Sequence, residues 1–206
     1  MGFLTTRELI GNPKPTKETR VTYHLSKTLV LVGLMGAGKT AIGSLLAQRL
    51  GVSFVDSDEE IIRAANMSIA EIFERDGEGF FRQKESQIIE RLLGGAPHVL
   101  STGGGAFLSQ KNRDIIAQNG VSVWFHADLD TLWYRVRDKN TRPLLMVPNP
   151  RAKLQELYET RNPEYAKAQI TVKGEKNNSK EAMVDRVIAA LLADPHSGVT
   201  EVTENE

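Results

Sequence analysis

The chain has no cysteine, which removes disulfides, thiolate metal sites and cysteine nucleophiles at once. It has no apolar run approaching the roughly 20 residues needed to cross a bilayer, and nothing in it reads as a secretory signal. It also lacks net charge, with Lys+Arg and Asp+Glu both totalling 26. That balance argues against a broad electrostatic footprint for nucleic acid, although a local basic cleft is compatible with it. With 40% apolar and 25% charged residues among 206, the composition suits one globular domain large enough to bury a core. The expectation is a cytoplasmic, monomeric enzyme with small-molecule substrates and no membrane or nucleic-acid partner.

One stretch organises the rest. Gly33-Leu34-Met35-Gly36-Ala37-Gly38-Lys39-Thr40 reads G-x-x-x-x-G-K-[ST], the phosphate-binding loop. Thr28–Val32 before it is a short apolar run suited to a buried strand. After it Ile42, Leu45, Leu46 and Leu50 recur at helical spacing, and Gly51 stands where a C-cap glycine belongs. Strand, glycine loop and helix together make a polyphosphate cradle, with backbone N–H groups of Gly36, Ala37, Gly38, Lys39, Thr40 and Ala41 converging at a helix N-terminus. In that arrangement Lys39 reaches the β- and γ-phosphates of ATP and the Thr40 hydroxyl ligates Mg²⁺.

The remaining chain alternates short apolar strands with helices. Strands are expected at Val52–Val55, His98–Ser101, Val121–Phe125 and Ile170–Val172. Ser68 and Glu71 form a capping box for a short helix closed near Gly77, and a longer helix runs from Glu78 to Leu93. Asp128 caps Leu129–Arg137, Arg151–Tyr165 is helical but interrupted at Pro163, and Ser179 caps a closing helix to about Leu192. Residues 138–150, with three prolines and no periodicity, exceed an ordinary connection and suggest a mobile lid. Residues 1–26 are expected to be a flexible extension with a short helix near Leu4–Ile10, residues 27–193 the catalytic domain, and the acidic tail 194–206 disordered. The pattern predicts an α/β, three-layer P-loop NTPase fold whose five-stranded parallel sheet is flanked by helices.

In such a sheet ligands bind at the carboxyl ends of the strands. The loop, Asp56-Ser57-Asp58 and Gly103-Gly104-Gly105 all fall there. A strand-end carboxylate can hold Mg²⁺, and a second can take the proton of an acceptor hydroxyl, so Asp56 and Asp58 divide between these tasks. The competing reading of Asp58 is a helix N-cap. Arg82, with Glu85 three residues on, reads either as a surface pair or as an anchored anion ligand. Arg135, Arg137 and Arg142 bracket the start of the lid, and an arginine on a closing loop suits transition-state charge. Arg161 sits on the helix that follows.

Taken together, Gly33–Thr40, Phe54-Val55-Asp56-Ser57-Asp58, Phe81-Arg82 with Glu85, Ser101–Ala106, Arg142-Pro143-Leu144-Leu145 and Arg161-Asn162-Pro163-Glu164-Tyr165 resemble shikimate kinase. The likeness runs over about residues 28–192. It implies a nucleoside-monophosphate-kinase-like fold with a mobile lid, and ATP-dependent phosphorylation of the shikimate 3-hydroxyl. Carried over by position, Asp58, Arg82, Gly104 and Arg161 would bind shikimate. Lys39 and Arg142 would stabilise the transferring phosphoryl group, with Asp58 completing the catalytic set. Thr40 and Asp56 would serve Mg²⁺, and Arg135 would lie against adenine, with Arg137 its rival. The competing readings are a kinase for gluconate or a nucleotide on a similar fold, and a nucleotide switch. The chain has no Asn-Lys-x-Asp guanine motif to support the switch.

Overall fold

The computed structural model describes residues 20–138, 142–175 and 178–204. The expected helix near Leu4–Ile10, and the extension up to residue 19, lie outside the described residues. Strand β1 (Arg20–Leu25) is followed by β2 (Thr28–Val32), α1 (Lys39–Leu50), β3 (Phe54–Asp56), α2 (Ser57–Ala65) and α3 (Ile69–Leu93). Then come β4 (Val99–Ser101), α4 (Gln110–Asn119), β5 (Gly120–His126), α5 (Leu129–Val136), α6 (Pro150–Tyr165), β6 (Ile170–Lys173), α7 (Lys180–Ala193) and β7 (Val199–Glu204). The main sheet has five parallel strands in the order β3-β4-β2-β5-β6. Every residue of β2 is buried and β5 is buried up to its last residue, so helices cover both faces. Leu29 sits opposite Val99 on one side and Val121 on the other, placing β2 at the centre.

The order explains where a ligand would sit. The chain leaves β2 for the outer strand β3, returns to β4 beside β2, and then crosses to β5 on the other flank. A crevice therefore opens at the carboxyl ends around β2. The loop after β2, the Asp56 turn after β3 and the glycine run after β4 share that edge.

Local signals place most boundaries. Gly51 closes α1 in the left-handed conformation, with its N–H on the Ala47 and Gln48 carbonyls. Ser68 and Glu71 form the full capping box of α3. That helix breaks at Gly77 (φ 80°, ψ 171°), so Ile69–Leu93 is two helical stretches meeting at a kink. One expected break is absent, because α6 runs through Pro163 to Tyr165. The missing proline N–H falls near the helix end, where Ala166 N–H still reaches the Asn162 carbonyl at 2.9 Å.

The two chain ends differ from expectation. Val199–Glu204, within the tail expected to be disordered, pairs antiparallel with Arg20–Leu25, within the extension expected to be flexible. The register runs from Leu25 opposite Val199 to Arg20 opposite Glu204. Leu25 and Val199 are buried against the core and Tyr23 packs on it, while the Ser26 N–H meets the Gly198 carbonyl at 2.8 Å. The acidic composition of the tail concealed Val199, Thr200, Val202 and Thr203, β-branched residues suited to a strand once a partner is supplied. Deleting residues 198–206 is expected to lower the unfolding free energy by about 2–4 kcal/mol, since Val199 is lost and Leu25 and Tyr23 are uncovered. Urea denaturation measures this, and an unchanged midpoint would mean the terminal ribbon contributes nothing.

Candidate active site

At the loop after β2, Gly38 adopts φ 100° and serves as N-cap of α1 with no side chain capping the helix. The first turn of α1 holds no acidic residue, so its N–H groups face the cleft as an anion site. The Lys39 ammonium folds onto its own loop, donating to the Gly33 carbonyl at 2.6 Å and the Leu34 carbonyl at 3.3 Å. Burial lowers its pKa to about 8, with Arg142 acting the same way and Asp58 and Asp56 opposing.

The Asp56-Ser57-Asp58 turn assigns a separate task to each residue. Asp56 is the N-cap of α2, and its Oδ1 accepts from the Asp58 N–H at 3.0 Å. The capping reading weighed for Asp58 therefore belongs to Asp56, and the Asp58 carboxylate is free to face the cleft. The other Asp56 oxygen, Oδ2, lies 3.4 Å from the Thr40 hydroxyl. Ser57 is fully buried and accepts from the Gly103 N–H at 3.3 Å. It thereby ties the turn to the glycine run. Burial raises the pKa of Asp58, and the neighbouring Asp56 charge adds to this while Lys39, Arg82 and Arg142 oppose it.

The glycine run is narrow because neighbours press on it. A Cβ at Gly103 would stand 2.8 Å from Asp58 Oδ1, and one at Gly105 would stand 2.5 Å from Arg82 Nη1. Thr102, buried, anchors the run to β2 through its hydroxyl on the Leu31 carbonyl at 3.0 Å. Arg82 is held on both sides, Nη1 donating to Glu85 at 2.9 Å and Nε to Glu78 at 3.2 Å. The Glu85 side chain is only 1% exposed, so this is an anchored guanidinium and not a solvated pair. Arg161 of α6 reaches the same run, donating to the Gly104 carbonyl at 3.2 Å.

At the opposite end, Arg135 donates to the Gly36 carbonyl at 3.2 Å and to the Glu175 carbonyl at 3.2 Å. It spans the phosphate loop and the turn after β6. Arg137 turns outward to Asp138 at 3.2 Å and over the Tyr134 ring.

One cleft of about 1280 Å³ is lined by thirteen of the residues singled out from the sequence: Gly36, Ala37, Gly38, Lys39, Thr40, Ala41, Asp56, Asp58, Arg82, Gly104, Arg135, Arg142 and Arg161. Arg137 does not line it. Sequence reasoning missed Gly174, Glu175, Asn178 and Met183, which line the cleft beyond Arg135. They follow the last parallel strand, and the rule that ligands sit at strand carboxyl ends would have found them. It also missed Ser57 and Thr102, which act on backbone rather than on ligand.

The shikimate kinase family model matches residues 35–192. The shikimate kinase of Ruegeria pomeroyi is 65% identical over 167 residues, 81% of this chain and 86% of that one. That of Cereibacter sphaeroides is 59% identical over 176 residues, covering 85% and 88%. Among solved structures, shikimate kinase from Acinetobacter baumannii in complex with shikimate superposes with a TM-score of 0.75 at 36% identity, covering 82% of this chain and 95% of that one. A phosphate loop, a carboxylate freed from capping and two anchored arginines meet in one cleft, and the matched region contains all of them but the first two residues of that loop; the chain belongs to the shikimate kinase family.

Proposed function

We propose that this cleft transfers the γ-phosphoryl group of ATP to the 3-hydroxyl of shikimate, yielding shikimate 3-phosphate and ADP on the way to chorismate and the aromatic amino acids. The observation that carries the reading is the position of Asp58. Its carboxylate, with a raised pKa, stands within electrostatic reach of Lys39 on the phosphate side and Arg82 on the acceptor side. Phosphoryl transfer asks for alignment and charge neutralisation, and those groups supply both. Asp58 accepts the proton of the acceptor hydroxyl, Lys39 and Arg142 bear on the transferring group, and Arg82, Arg161 and Gly104 hold the acceptor. Arg135 lies along the adenine.

The donor set also fits Mg²⁺. Thr40 Oγ1 and Asp56 Oδ2 are adjacent, and among the described residues no trio of acidic or histidine side chains forms a dedicated metal cage. A hard cation that keeps its waters and takes its other ligands from phosphate needs no more than this pair. When bound, it would neutralise charge on the β- and γ-phosphates.

The segment between α5 and α6 acts as the lid. It carries Arg142 and the exposed apolar residues Leu144, Met146 and Val147, and the cleft's far wall presents Ile69 and Phe73. We read the enzyme as a cytoplasmic monomer. Among the described residues no helix is long and apolar enough to cross a membrane.

The test is the acceptor carboxylate. Arg82 and Arg161 come from separate helices and can present a planar fork to one carboxylate; lysine keeps the charge but loses the fork. Arg82→Lys and Arg161→Lys are each expected to weaken shikimate binding by about 1–3 kcal/mol and to leave ATP affinity nearly unchanged. Titration calorimetry with shikimate and its uncharged amide reads this directly. Equal use of acid and amide by the wild type would remove the carboxylate fork and leave only a small-molecule kinase.

A further inference from the structure

The Gly104 carbonyl has two donors. Arg161 Nη1 reaches it at 3.2 Å, and the Tyr165 hydroxyl donates to it as well. The two side chains stand one turn apart on α6, on the same face of that helix. Tyr165 is fully buried, with its ring packed against Trp124 at a centroid distance of 6.3 Å. Trp124 in turn lies against Gly33 at the start of the phosphate loop, where a Cβ would stand 3.2 Å from its ring. Tyr165 therefore has no freedom to leave, whereas Arg161, on the cleft wall, has a competing partner whenever an anion binds there.

We infer that Tyr165 is a positioning residue for the acceptor: it keeps the Gly104 carbonyl bonded when Arg161 turns to the acceptor carboxylate. This rests on the reading of Arg161 given above. In the free protein two donors share one carbonyl, and Arg161 is also hydrogen-bonded to the Tyr165 hydroxyl, so either suffices for the carbonyl. On acceptor binding Arg161 exchanges the carbonyl for a carboxylate, and a carbonyl left with neither donor would be stranded beside the bound ring. An unmade hydrogen bond at a half-buried group is costly, whereas a second hydrogen bond to an already bonded carbonyl adds little. The cost of losing Tyr165 thus falls on the complex and not on the free fold. Burial pushes the Tyr165 phenol up to about 12, so it remains a donor at any working pH.

The experiment is Tyr165→Phe, which keeps the ring against Trp124 and removes only the hydroxyl. Shikimate dissociation constants are expected to rise about tenfold. The melting temperature of the free protein and the ATP dissociation constant should stay near wild type. A merely structural tyrosine would instead lower the melting temperature and weaken both ligands, which would overturn the inference. Arg161→Lys is measured alongside. If it weakens shikimate and Tyr165→Phe does not, the positioning role fails while the carboxylate reading stands. If Arg161→Lys leaves shikimate binding unchanged, the carboxylate reading itself fails and takes the inference with it. Should the phenylalanine variant not fold, the wild type decides through the carbonyl ¹³C shift of labelled Gly104. Saturation with shikimate should move that resonance toward a less hydrogen-bonded position, and no movement would overturn the exchange.

Discussion

Lys39→Ala is expected to fold normally and to lose about three orders of magnitude in kcat, because in the proposed mechanism it removes a positive charge that meets the negative charge developing on the transferring phosphoryl group. Its stability should not suffer. The ammonium is bonded to two carbonyls of its own loop, yet burial lowers its pKa to about 8 from the ordinary 10.5. A depressed lysine pKa means the folded state binds the proton less tightly than the unfolded chain. The charged form therefore weighs against folding below about pH 8, and that cost is relieved as pH rises from about 8 toward 10.5. Removing the side chain removes the cost, so the melting temperature at pH 7 is expected to equal or exceed that of the wild type. The same shift makes ATP capture by the free enzyme pH-dependent. Because kcat/KM reports groups in the free enzyme, kcat/KM for ATP should fall as pH rises through about 8. In the ATP complex the phosphates hold the lysine charged, so kcat should persist to higher pH. Near-normal turnover of Lys39→Ala, or a kcat/KM profile flat to pH 10, would remove Lys39 from the phosphoryl site.

Asp58→Asn is the second large expected effect. The amide keeps the shape but cannot take the acceptor proton, and general-base contributions are typically a factor of about 10²–10⁴. Loss should appear in kcat with shikimate, while nucleotide affinity stays close to wild type because Asp56, not Asp58, faces Thr40. The helix should survive, since Asp56 supplies the N-cap of α2. Removing a carboxylate that burial and Asp56 both disfavour as an anion also argues for an unchanged or higher melting temperature. With Asp58 as the proposed base, its raised pKa is expected to set the acid limb of the wild-type rate profile: activity should fall as pH drops through a value above the ordinary 3.8. A variant that loses Mg·ATP affinity and keeps shikimate affinity would mean the two aspartates exchange roles.

Most of the fold was legible because its signals are local. Glycine 51 after an apolar helix repeat, Ser68 with Glu71, and Ser179 before α7 each act within four residues of a helix end, so spacing alone reveals them. The phosphate loop is legible for the same reason, being a contiguous run whose flanks declare strand and helix. The site residues separated along the chain were legible only in part. Their convergence followed from the strand-end rule, and their assignment to ligands followed from the family's motifs.

By itself the sequence determined a nucleotide-binding α/β kinase, the strand count of its main sheet and the residues gathered at the strand ends. Those conclusions rest on the phosphate-loop motif, on short-range periodicity and one topological rule and, for the kinase activity, on the resemblance to the family's motifs. Only the tertiary structure decided which of Asp56 and Asp58 caps α2, because a cap is a matter of which carboxylate the backbone turns toward its own N–H groups. It set Arg135 rather than Arg137 on the cleft wall by helical phase: two residues on a helix differ by about 200° in direction, and only one direction meets the loop. It paired Thr22 with Val202 across 180 residues, a separation at which no local pattern in an acidic tail names its partner. It also placed the Tyr165 hydroxyl on the Gly104 carbonyl, since a fully buried side chain takes its hydrogen-bond partner from whatever the packing of α6 brings within reach.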